Sequence, residues 1–277
     1  MAIIFALLAA GAYGVSDFLG GMASRHAATT RVLLVTYPVG AALMAALLPI
    51  YGGPISARTL GWSVAAGVAG LVAIGLFYHA LARARMSVIS PVTAVLAAAV
   101  PVVGGVALGE RPSALGWFGM LVGLIAVVLI CRQPEHEDHP RVGWAPLAIA
   151  VVAGIGFGAY FVCLSRCDDD SGMWPVVLSR LAPLLALLPW VALVEKSARI
   201  PARGLALAAG CGCLDACANA AFLLATRHGL LSLSSVITAL YPAGTVLLAV
   251  WVLGEPTGRT QQAGLAVAVA SVVLLSV

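Results

Sequence analysis

Leu108-Gly109-Glu110 returns 145 positions later as Leu253-Gly254-Glu255, and the match extends to both sides without a gap. Between Phe77–Ile130 and Phe222–Leu275, Phe77 meets Phe222, Ala80 meets Ala225, and Ser87, Ser90, Thr93 and Ala94 meet Ser232, Ser235, Thr238 and Ala239. Beyond the shared triplet, Gly119 meets Gly264 and Val127-Val128-Leu129 meets Val272-Val273-Leu274. Fifteen of these fifty-four positions are identical, where a chain so rich in Ala, Leu, Val and Gly gives roughly a tenth by chance. The chain reads as two copies of one ancestral unit.

Composition says where those copies reside. Of 277 residues, 62% are hydrophobic and 9% charged, and the mean hydropathy is +1.05. Charges this sparse cannot form the polar shell of a soluble domain. The apolar runs approach or exceed the ~18–20 residues needed to cross a ~30 Å hydrocarbon core. They lack the alternation of a membrane β-barrel, so the expectation is an all-α, multi-pass integral membrane protein. Met1 leads into Ala2-Ile3-Ile4-Phe5 with no basic region, so the first segment reads as a retained helix. The net charge of +4 comes from loop Arg residues, which suits anionic lipid headgroups and not nucleic acid.

Turn residues and charges divide the chain into ten spans: Ala2–Met22, Val32–Tyr51, Leu60–Ala82, Val88–Leu108, Ala114–Cys131, Trp144–Ser165, Met173–Val194, Leu205–Thr226, Leu231–Leu253 and Thr260–Val277. The sustained polar segment from Arg132 to Arg141 joins the halves. This predicts a first five-helix repeat over 1–133, a connecting loop over 134–141 and a second repeat over 142–277. Five is odd, so the second copy enters the membrane with the opposite sense. Ten transmembrane helices in a 5+5 inverted repeat are the plan of many secondary transporters, with the substrate site near midplane between the halves. The odd-numbered loops hold ten Lys and Arg and the even-numbered loops four. The positive-inside rule therefore puts the odd loops in the cytoplasm and both termini outside.

The paired Leu-Gly-Glu span ends, each followed by another apolar span, resemble the EamA-like branch of the drug/metabolite transporter superfamily. Gly11-Ala12-Tyr13-Gly14 and Gly156-Phe157-Gly158 are similar to that family's aromatic-Gly element in its first helix. Ser179-Arg180-Leu181 is similar to its helix-two Arg, and Tyr241-Pro242 to its helix-nine Pro element. Thr36-Tyr37-Pro38 stands where a second Arg is expected, and Ala97 where a Pro is. The resemblance implies a ten-helix metabolite exporter, often for amino acids, working by alternating access in a bacterial inner (plasma) membrane. It implies both termini inside, against the loop charges, so orientation stays open.

Candidate site residues follow from depth. Asp215 sits mid-way along span eight, where ionisable groups face a cavity or a partner, and Asn219 lies one turn on. The competing reading is a neutral Asp tying helices together. Asp17 shares a face of span one with Tyr13; related small multidrug carriers resemble this in using a first-helix acid, and a plain interfacial Asp is the alternative. Arg180, two turns inside span seven, could neutralise Asp17 or Asp215 or grip a substrate carboxylate; snorkelling is the alternative. Tyr78-His79 faces Leu223-Leu224 in the repeat, an asymmetry that packing does not require, so His79 could line the cavity mouth. Tyr160 and Tyr241 are cavity-wall candidates, while the Trp residues suit interfaces.

Pro91, Pro101 and Pro242 can bend spans four and nine as gates. Glu110 and Glu255 read as structural, capping the next helix or bonding a neighbouring helix end. Gly119 and Gly123, with Gly264 and Ala268, form small-residue faces that brace each half or a dimer contact. The six Cys read as packing residues, and no metal ligand set or cofactor motif is expected. A small-molecule substrate and the lipid bilayer are the expected partners, protons the candidate coupling ion and a monomer the default state. The alternatives are a proton-coupled exporter of cationic or hydrophobic drugs, and a non-catalytic channel or packing subunit. An enzyme would need clustered nucleophiles at one depth, and the five His are scattered.

Overall fold

In the computed structural model, residues 1–81, 86–132, 143–194, 200–254 and 257–276 are described. Among them the backbone is helical almost throughout: α1 (Ala2–Ser24), α2 (Thr29–Tyr51), α3 (Ala57–Leu81), α4 (Met86–Ala107), α5 (Ala114–Cys131), α6 (Trp144–Ser165), α7 (Trp174–Val194), α8 (Ala202–His228), α9 (Leu231–Thr238), α10 (Tyr241–Leu253) and α11 (Arg259–Ser276). A single 3-10 turn, Asp169–Ser171, lies between α6 and α7. Several helices run past the expected spans. Their hydrogen-bond ladders continue beyond the apolar stretch into the interface, as α8 does at both ends. The polar joint expected at 134–141 lies outside the described residues.

Eight apolar helical runs among the described residues are long enough to cross a membrane, with Leu231–Leu253 counted as one. Trp174–Pro189 of α7 is a shorter apolar run, and α11 opens with Arg259-Thr260-Gln261-Gln262 before turning apolar. Together these make the ten segments read from the sequence. Leu8, Val68, Leu185, Trp251 and Val269 stand exposed on the outside, the arrangement expected where lipid replaces water.

Span nine differs from expectation by being broken. It stops at Thr238 and restarts at Tyr241. Pro242 has no N–H for the Thr238 carbonyl, and the chain tightens there, with the Leu240 N–H donating to Ile237 O at 3.2 Å. Its counterpart α4 keeps Pro91 and Pro101 inside one continuous helix.

The halves interleave. α1 packs along α8, and its counterpart α6 packs along α3. α2 lies against α8 as α7 lies against α3, and α1 touches α9 and α10 as α6 touches α4. Counterparts meet directly in the pairs α2 with α7, α4 with α9, and α5 with α11. Exchanging the halves leaves this pattern unchanged, as a two-fold relation requires.

The sense of that relation is fixed by the Leu-Gly-Glu turns. Gly109 takes φ +98° and Gly254 φ +68°, conformations that suit glycine. After α4, the Glu110 N–H donates to Gly105 O at 2.9 Å and the Gly109 N–H to Val106 O at 3.0 Å, the bond pair of a Schellman ending. This aims the Glu110 carboxylate at the start of α9, where it accepts from the Leu231 N–H at 2.5 Å and the Ser232 N–H at 3.0 Å. From Leu231 the run to Leu253 covers 23 residues, roughly 35 Å of helix. Gly109 and Gly254 therefore lie on opposite faces of the bundle.

The small-residue faces of α5 and α11 act within the chain. Ser271 Oγ donates to Gly119 O at 2.8 Å, and Gly264 backs onto Ile130. They clamp one half to the other.

Candidate functional site

Four helices meet around Asn219. The Tyr13 hydroxyl on α1 and the Tyr160 hydroxyl on α6 both donate to Asn219 Oδ1, at 2.6 and 2.5 Å. Asn219 Nδ2 donates back to Asp215 O one turn earlier at 2.7 Å. Asn219 is buried and uses both ends of its amide to tie α1, α6 and α8. Helical spacing puts Asp215 beside it, and Arg180 Nη1 reaches across from α7 to Asp215 Oδ2 at 2.7 Å.

The ion pair is lopsided. The Arg180 side chain is 3% exposed and that of Asp215 32%. Arg180 Nε and Nη2 have no hydrogen-bond partner, so most of the guanidinium fork is desolvated and unused. Leaving such donors unpaired is costly, and a planar anion is the group whose geometry fits them. Arg180 passes beside Gly40 of α2, where an added Cβ would stand 3.2 Å from Nε and 2.8 Å from Gly212 O. Glycine at 40 therefore leaves Arg180 its route. Pro183 follows Arg180 inside α7 and denies the Ser179 carbonyl its helical donor; Gly67 of α3 packs on that carbonyl.

Asp17 completes the charged set. At about 100° per residue it lies about 40° round α1 from Tyr13 and about 60° from Gly14. Tyr13 faces α8 and Gly14 faces Tyr241 and Gly244 of α10. Asp17 thus points into the wedge between α8 and α10, and it is exposed there. It makes no ion pair among the described residues. The wedge is walled by aromatic rings: Tyr13 lies 6.2 Å from Tyr241 and 6.1 Å from Phe161 between centroids. Phe161 lies 5.6 Å from Tyr160 and 4.5 Å from Phe222.

Seven of the sequence candidates are therefore gathered in one place: Tyr13, Asp17, Tyr160, Arg180, Asp215, Asn219 and Tyr241. His79 is not among them. It is exposed in the last turn of α3, nine residues or roughly 13 Å along the helix from Gly70, the residue on which the Tyr160 ring packs. The Tyr78 side chain and Glu255 lie outside the described residues. Pro91 and Pro101 stand within the continuous α4, whereas Pro242 marks the break beside Tyr241. All six cysteines are free, and no group of metal-binding side chains occurs among the described residues.

The shared acceptor escaped the sequence reading, as did Phe161 and Phe222. Gly11-Ala12-Tyr13 and Gly158-Ala159-Tyr160 share a triplet, but packing pairs Gly14, on Tyr241, with Gly158, on Leu96. Tyr160 therefore stands about one turn beyond the counterpart of Tyr13, and the repeat gave no direct signal. The charges are not symmetric. Shifting by 145 positions puts Val35 at the place of Arg180 and Gly70 at that of Asp215.

The model of the EamA-like transporter family, part of the drug/metabolite transporter superfamily, matches residues 1–132 and again 144–277. No curated protein matches. One solved crystal structure is similar over 100% of this chain and 98% of its own, with a TM-score of 0.84 at 16% sequence identity. At that identity the likeness speaks for the fold.

Proposed function

This chain belongs to the EamA-like transporter family, and from that premise we propose a secondary active transporter exporting small metabolites, most specifically amino acids or related amphipathic compounds. It is a multi-pass membrane protein of ten helices in two inverted repeats, which we assign to a bacterial inner membrane. The substrate binds between the repeats and is released by alternating access, because inverted copies exchange conformations at comparable energy. The observation that carries this reading is the buried Arg180 with its unpaired Nε and Nη2 beside a partly buried Asp215. A carboxylate supplies the acceptors that the fork lacks, and Asp17 offers a counter-charge for an ammonium group. Protons are the proposed coupling ion, with Asp17 the carboxylate open to them.

Export of cationic drugs is the second reading. It is favoured by the two acids, Asp17 and Asp215, that stand against one Arg. Counterflow in proteoliposomes separates these classes and a pore: labelled substrate should accumulate against unlabelled amino acid, with saturation. Accumulation with cationic drugs alone would replace the first reading by the second. Passage without saturation or counterflow would refute a carrier of either kind.

A further inference from the structure

The connection between α6 and α7 is tied down more heavily than an eight-residue surface turn needs. Backbone pairs it to the α2–α3 connection: Gly52 and Gly172 form an antiparallel bridge, and the Met173 N–H donates to Tyr51 O at 3.0 Å. Gly172 holds φ +58° and abuts Tyr51 O, so the close approach requires glycine. Asp168 is the centre of the side-chain contacts. Its carboxylate accepts from the Ser56 hydroxyl and from Thr59 Oγ1, the latter at 3.0 Å, while its N–H donates to Thr59 Oγ1 at 3.1 Å. Arg58 Nε lies 3.7 Å from Asp168 Oδ1 and donates to Arg166 O at 3.1 Å. Arg227, at the end of α8, donates through Nη2 to Asp168 O and to Ser171 Oγ, each at 3.0 Å.

Three connections thus converge on one face, the same face on which Glu110 holds the start of α9. Five of the helices they join, α2, α3, α6, α7 and α8, bring residues close to Arg180 and Asp215. The equivalent turn of the first half, Arg25-His26-Ala27-Ala28 on the opposite face, has no carboxylate. Two turns that a pure inverted repeat would make alike therefore differ.

We propose that the α6–α7 connection is a latch that holds this face closed, with Asp168 as its fastener, and that access to the central site from this face requires its release. The proposal rests on the carrier reading, and it explains how a pseudo-symmetric carrier acquires a preferred resting state: the latched state is stabilised by carboxylate contacts that the acid-free Arg25–Ala28 turn cannot make.

Cys167 reports on the latch. It is 6% exposed, with Sγ 3.5 Å from Ser63 Oγ. In a full-length variant retaining Cys167 as its sole cysteine, an impermeant maleimide should label it slowly, and about tenfold faster after Asp168→Asn or Thr59→Val, the scale of a lost charge-assisted bond. A second reporter, Ala27→Cys in a chain lacking native cysteines, should become slower to label in the same variants, since opening one face closes the other. Unchanged Cys167 labelling in both variants overturns the latch, as does faster labelling at both reporters, which is loosening without coupling. If the labelling changes reciprocally but no substrate is carried, the latch stands and the transport reading falls. If transport is measured and labelling is static, the reverse holds.

Discussion

Asn219 shows how a residue can be located by sequence and misread in role. Its place one turn from Asp215 was legible, because helical spacing is local. That its oxygen would serve tyrosines from α1 and α6 was not, because those helices arrive from positions 206 and 59 residues away. Tyr13→Phe and Tyr160→Phe should each cost about 1 kcal/mol, and Asn219→Leu about 2–3 kcal/mol, since it orphans both hydroxyls. Thermal unfolding in detergent checks this; the two Phe changes combined should cost less than Asn219→Leu. Arg180 and Asp215 were legible as mid-membrane ionisable residues, but their pairing with each other in preference to Asp17 needed the fold.

Asp168 belongs to the same scale. Its hydrogen bond from Ser56, then that from Thr59 and the nearby Arg58 charge, hold its carboxyl below the usual carboxylate range. Arg227, Asp169, Asp170 and Cys167 are the other titratable groups near it. A lowered folded-state value means the contribution to stability is complete above the unfolded value of about 3.9 and is lost as pH falls through the folded one. The difference in melting temperature between the parent and Asp168→Asn should persist from pH 7 to about 5 and close only below about 4.

Among the elements, α4 and its Leu-Gly-Glu ending were the most legible. A glycine at a span end followed by an acid announces a helix stop and a cap, and Glu110 performs that role toward α9. The partner helix could not be named from sequence, because capping across a bundle depends on which helices are neighbours. Glu110→Ala leaves the Leu231 and Ser232 N–H groups without their acceptor and should cost about 2 kcal/mol. Glu110→Gln, which keeps one acceptor, should recover part of it; equal melting temperatures for all three proteins would remove the cap from the account. The break between α9 and α10 was half legible: Pro242 forecast a bend, but Pro91 and Pro101 made the same forecast in α4, which stays continuous. Proline removes one hydrogen bond, and the surrounding helices decide whether the ladder parts.

For the whole molecule, the repeat foretold two units of opposite sense, and the turns at Gly109 and Gly254 do lie on opposite faces. It did not foretell that α1 would dock on α8 and α6 on α3, because identity between copies says nothing of which copy supplies a neighbour. Nor did it foretell the division of labour. The scaffold keeps its two-fold pattern while the central charges come from Arg180 and Asp215 in the second half and Asp17 in the first. The symmetry is broken locally at Val35 and Gly70, where the first half lacks the charges of Arg180 and Asp215, and in the proposed carrier that difference would orient the site.

The most direct test is the initial rate of counterflow of a labelled amino acid in proteoliposomes containing Arg180→Gln, compared with the parent at equal, verified folding. Loss of a buried charge-assisted contact of about 2–3 kcal/mol predicts a fall of about thirtyfold or more, with Arg180→Lys intermediate because it keeps the charge but not the fork. A rate within twofold of the parent would contradict the account, since the central site would then bind its substrate without the group around which it is built.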